Sequence, residues 1–176
     1  MIKGDNIISR WINGDDGIAA VEAAMVFPLM LFLFLGVFDG GNAILANQKT
    51  VRSSQIVADL ITRKSIVAAD DVSEAIEAGR LALEPMDSSS FGVDIVSIRF
   101  DDNADSSIEW RETFNMGSVP DALNSVTALQ DVNEGVVMVS VKYVYTPMFS
   151  SFITGPITMN EVAFSRGRRT PVITRE

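Results

Sequence analysis

Apolar and small residues run without a break from Ile18 to Phe38 except for one charge, Glu22. These 21 residues, at about 1.5 Å rise per residue, cross a hydrocarbon layer of about 30 Å, so the block predicts a transmembrane helix. The Gly40-Gly41 pair predicts a break. From Asn47 to Lys64 the chain is mostly polar, with Val51, Ile56, Val57, Leu60 and Ile61 along one side, the pattern of an amphipathic helix. Asp71 and Glu74 fit the capping box of a further helix whose apolar stripe is Val72, Ala75, Ile76, Gly79 and Leu83, closed by Pro85.

Beyond a linker at Met86 to Ser90 the period changes to two. Val96, Ile98 and Phe100 alternate with polar residues, as do Ile108 and Trp110, and then Val137, Val139, Val141, Tyr143 and Tyr145. The turn-forming stretch from Asp101 to Ser107 makes the first two strands a hairpin, and Met138 and Val144 on the opposite face make the third a central strand. Pro120 to Leu129 predicts a short helix and Ile157 to Phe164 a last strand. The fold class is α+β: an N-terminal transmembrane helix continuing into amphipathic helices, then a small antiparallel β-sheet domain. The corresponding division is a leader at 1–17, a span at 18–38 and an exported domain at 42–176.

Composition narrows the chemistry. The 176 residues include no cysteine and no histidine, which removes thiol nucleophiles, thiolate and imidazole metal sites, and histidine-based triads. A Ser–Lys dyad or a carboxylate pair survives, but no motif organises either, so neither an enzyme nor a cofactor is expected. The net charge of −9 falls mostly beyond the apolar block and repels phosphate backbones, so nucleic acid is not an expected partner. Arg166, Arg168 and Arg169, the one basic cluster, read as a solvated strand end or tail.

Glu22 is the informative residue of the span. An ionised carboxylate inside a membrane helix costs on the order of 3 kcal/mol unless it is paired or wet. It either reaches the headgroups or awaits a cationic group on another subunit. Ala19 with Ala23, Ala20 with Ala24, and Gly36 with Gly40 are small-xxx-small pairs that let another helix approach closely. Pro28 removes one backbone donor. The rival reading of the segment is a secretory signal, cleaved at Gly41-Asn42-Ala43, although signal cores typically run about 7–15 residues. Lys3 and Arg10 before the block balance Lys49 and Arg52 after it, so charge does not orient it. The short N-terminus favours the arrangement with that end inside.

The stretch from Asp16 to Leu29, DGIAAVEAAMVFPL, running on into Gly36-Val37-Phe38-Asp39, resembles the TadE/TadG-like proteins of the tight-adherence (Tad) pilus system. A glycine, a short apolar stretch, "VE", "AxxxP" and an aliphatic run recur together in that family, over about residues 14–60 of this chain. The resemblance implies a minor pilin or pseudopilin of the inner membrane. Its implied partners are other pilins and pseudopilins, inner-membrane Tad assembly proteins and a prepilin peptidase. Type IV prepilins are cut after a glycine that leaves glutamate fifth in the mature chain, which places the cut between Gly17 and Ile18 and makes Glu22 that glutamate. Ala23 departs from the pattern, standing where Tad-type processing sites carry an aromatic.

Asp101, Asn103, Asp105, Ser107, Glu109 and Glu112 occupy the oxygen-ligand positions of a twelve-residue calcium loop. Ser106, however, replaces the glycine of its sharp turn, and the flanks alternate like strands, which favours a solvated hairpin. Trp110, Tyr143 and Tyr145 read as core aromatics rather than a recognition surface. The alternative to a pilus component is a secreted or anchored ligand-binding module, in particular a calcium-dependent adhesin.

Overall fold

The structure, a computed structural model, describes residues 15–176. Helix α1 runs from Asp15 to Thr62, 48 residues, or about 70 Å. The break predicted at Gly40-Gly41 does not occur, and the helix also passes through Pro28. A helical glycine costs about 1 kcal/mol against alanine. The packing of the next turns offsets that cost: Asp39, Ala46, Thr50, Ser53, Val57 and Ile61 are all buried against the domain. The helix therefore has two halves, an apolar one standing free and an amphipathic one built into the fold.

A two-residue strand β1 (Ile66–Val67) leads into α2 (Ala69–Leu81). Asp71 is not the N-cap residue, as the capping box predicts, but the third residue of the helix. Its carboxylate accepts the Ala68 N–H at 3.0 Å, so it closes the helix start from inside. The apolar stripe holds, with Val72, Ala75, Gly79 and Leu83 buried and Ile76 half-buried. Gly79 is where α2 meets α1, and a Cβ built there lies 2.5 Å from Val57 Cγ2. Ser53 Oγ donates to the Gly79 carbonyl at 2.7 Å across the same crossing.

Strands β2 (Gly92–Phe100), β3 (Ser106–Phe114), β4 (Gly135–Tyr145) and β5 (Ile157–Ser165) form one antiparallel sheet in the order β3-β2-β4-β5. The predicted hairpin and the central third strand are both present. Val93, Ile95, Trp110, Val139, Val141, Tyr143 and Tyr145 face the two helices. Val96, Ile98, Phe100, Val136 and Met138 face a cover made by α3 (Ala122–Ser125) and a 3₁₀ turn at Thr127–Leu129. The sheet is thus a middle layer, which is why β2 and β4 are apolar on both faces. A short α4 (Ser151–Thr154) precedes β5.

The C-terminal end is structural rather than a free tail. Strand β6 (Thr174–Arg175) pairs in parallel with β1. Ile173 is buried, and its carbonyl accepts Ser97 Oγ at 2.7 Å and Trp110 Nε1 at 2.8 Å. Of the three arginines read as solvated, Arg166 reaches Glu134 at 3.3 Å and the Leu129 carbonyl at 2.9 Å, while Arg168 pairs with Asp59 of α1. All three are exposed at the end of β5, as expected of a solvated strand end, and Arg166 and Arg168 make surface contacts to the sheet cover and to α1.

Candidate membrane and assembly interface

Between Ile18 and Phe34 the described chain leaves α1 exposed, and only Leu35 and Phe38 at the end of the apolar block are partly covered. Met25 is 75% exposed and Val37 is 74% exposed, and the apolar residues fall on every side of the helix. A helix apolar all round has to be buried by something else, a lipid phase or other helices. Glu22 projects from this surface and makes no ion pair among the described residues. Gly17 and Ile18 lie within the first turns of α1.

The predicted packing residues do not form one stripe. At 3.6 residues per turn, Ala19, Gly36 and Gly40 share a face with Glu22, whereas Ala20 and Ala24 lie roughly opposite and Ala23 between. A Cβ built at Gly36 or Gly40 meets no heavy atom within 4 Å, so the glycine end of the Glu22 face is open. Followed outward, this face leads to Ile44 and Asn47, which with Ala43, Ile157 and Met159 line a groove between α1 and β5. The candidate signal cleavage site at Gly41-Asn42-Ala43 lies inside the continuous helix.

Asp39 is the residue that the sequence reading missed. It is the first charge after the apolar run, yet only 4% exposed. Its carboxylate accepts N–H groups from Met148 at 3.1 Å, Phe149 at 2.9 Å and Ser150 at 2.6 Å, and the Ser150 hydroxyl at 2.9 Å. Burial works against the charge, but the Ser150, Phe149 and Met148 donors outweigh it and hold the carboxyl below the usual carboxylate range. Tyr145 Oη donates to the Asp39 carbonyl at 3.4 Å, and Phe38 meets Phe149 edge to face with ring centroids 5.7 Å apart. The loop between β4 and α4 is therefore locked to α1 at the turn where its free half begins.

The calcium-loop residues are not gathered into a ligand set. Asp101 Oδ1 accepts the Asn103 and Asp105 amides at 2.8 Å each, which closes a hairpin turn. Glu109 pairs with Arg99 at 2.8 Å, and Glu112 with Arg175 at 2.6 Å. Among the described residues no cluster of three acidic groups stands within reach of one ion. Trp110, Tyr143 and Tyr145 are core residues.

The family described as TadE-like protein matches residues 17–59. The matched segment starts at the glycine before Glu22, covers the free half of α1 and ends at Asp59, on the part packed against the sheet. The similarity to TadE-like proteins thus covers about the N-terminal quarter of the chain. No curated protein and no solved structure matches the chain.

Proposed function

We propose that the protein is a minor pilin or pseudopilin-like component of Tad-type pilus assembly or secretion. It is anchored in the bacterial inner membrane by Ile18 to Phe38, with the α+β domain on the periplasmic or extracellular side, and it works by protein contact rather than by chemistry. The observation that carries this reading is one helix with a free apolar half, a single carboxylate at Glu22, and small residues Ala19, Gly36 and Gly40 on that carboxylate's face.

A carboxylate in that position is costly until it meets a positive group. Cleavage between Gly17 and Ile18 creates one, the α-amino group of Ile18, and on a neighbouring subunit this group offsets the desolvation of Glu22 only upon assembly. Glu22 then sets the register between subunits, and the glycines allow the close approach. The partners are other pilins or pseudopilins and inner-membrane Tad assembly proteins, with a prepilin peptidase as the processing enzyme.

Two measurements test this. The mass of the mature chain is expected to start at Ile18; a start at Asn42 or later would mean secretion after signal cleavage. Glu22→Ala is expected to insert as well as or better than the parent while losing co-purification with the other pilus subunits. Unchanged association removes the pairing role.

A further inference from the structure

We infer that the loop joining β4 to β5 is a second membrane contact, resting in the headgroup region of the same bilayer that α1 spans. The inference rests on the anchoring proposed for Ile18 to Phe38 and adds a lipid-facing surface to the globular domain.

Charge gives the first observation. From Thr146 to Asn160 the chain carries no Asp, Glu, Lys or Arg over 15 residues, in a protein 21% charged. Loops exposed to water are ordinarily polar, and this one is apolar where it is exposed: Met148 is 73%, Ile153 57% and Phe149 40% exposed. Contiguous exposed apolar residues mark a surface that something covers.

Position identifies the cover. The Asp39 carboxylate holds the backbone of Met148, Phe149 and Ser150, and the Phe149 ring sits against Phe38. Phe38 closes the apolar block, about 30 Å along the helix from Ile18, where hydrocarbon gives way to headgroups. Phenylalanine and other large apolar side chains presented by a surface segment bury into the headgroup–acyl boundary. Phe149 touches Phe38, which follows exposed Val37 on α1, so lipid that surrounds the end of the helix reaches the loop. An acidic domain is repelled by anionic leaflets, and a loop free of carboxylates is the part of it that approaches at least cost. The hairpin tip at Asp101 to Asp105 lies at the opposite end of the sheet, since Gly92 pairs with Lys142 and Arg99 with Gly135. With α1 and this loop both in the lipid, the domain is held at a fixed tilt instead of swinging on one helix.

The chain has no cysteine, so single-cysteine variants of the full chain report one site each. Met148→Cys, Phe34→Cys and Asn103→Cys, each carrying an environment-sensitive fluorophore, are compared in phosphatidylcholine vesicles containing lipids spin-labelled near the headgroup or deep in the acyl chain, and with aqueous iodide. The expected result is blue-shifted emission at 148 with loss of intensity to the headgroup-level label, loss to the deep label at 34, and loss to iodide alone at 103. Quenching at 148 by iodide alone, with 34 still quenched by the deep label, overturns the second contact and leaves the anchor standing. Shielding at 148 from every quencher means that protein covers the loop and also overturns it. Absence of lipid quenching at 34 overturns the anchor and the inference together.

Discussion

Asp39 on α1 and Ser150 in the loop that follows β4 are joined twice, through the Ser150 amide at 2.6 Å and its hydroxyl at 2.9 Å. This contact spans 111 residues of sequence and fixes where the free half of the helix leaves the domain.

Replacing Asp39 by Asn keeps one acceptor but turns an amide group toward backbone donors that already crowd the site. Asp39→Asn is expected to lower the unfolding temperature of the full chain in detergent. The parent has an acid-sensitive contribution here: a carboxyl held below its ordinary value of about 3.9 stabilises the fold above that pH and loses this effect as pH falls through the depressed value. The Asn variant is expected to show a smaller loss of stability below about pH 4. Equal acid sensitivity in both chains would exclude this role.

Gly79→Ala gains about 1 kcal/mol of helix propensity but places its Cβ 2.5 Å from Val57 Cγ2, on a fully buried β-branched side chain. Overpacking of this kind costs about 1–3 kcal/mol, and net destabilisation is expected in denaturant unfolding. Val57→Ala in the same chain is expected to recover part of the loss, which makes the two sites non-additive.

Asp94 is fully buried and holds Arg111 in a two-pronged pair, with Arg111 Nε to Oδ1 at 2.9 Å; its other oxygen accepts the Val119 amide at 2.8 Å. Arg111→Ala leaves that carboxylate without its cation, and a loss of about 3–5 kcal/mol is expected. Asp94→Ala combined with Arg111→Ala is expected to cost less than the sum of the two single changes, measured by a double-variant cycle.

The strands, the hairpin and α2 were legible because burial of alternate or every third to fourth residue is written locally. In β4 the alternation is of face: Val137, Val139, Val141, Tyr143 and Tyr145 all turn to the helices. Three things were not local. The continuity of α1 through Gly40-Gly41 depends on Asp39, Ala46 and Thr50 packing against a sheet that comes later in the chain. The β1–β6 pair joins two residues to two others more than a hundred positions away, too short to show a period. Asp39 reads as the polar end of an apolar run, and only the return of Met148 to Ser150 gives it partners. The glutamate, the glycines and the apolar span were all legible, and the structure adds that Glu22 shares its face with Ala19, Gly36 and Gly40 but not with Ala20 or Ala24.

Calcium binding is expected to be absent, because the Asp101 carboxylate already closes its own turn and Glu109 and Glu112 are held by arginines. Millimolar calcium is expected to leave both the heat of titration and the unfolding midpoint of the full chain unchanged. A saturable heat that vanishes in Asp101→Ala would reinstate the loop as a site.

The proposed pilus role requires the free half of α1 to lie in a bilayer. Washing native membranes with alkaline carbonate tests this most directly. The protein is expected to stay in the pellet with integral membrane proteins. Its release into the supernatant as a free monomer would contradict the account.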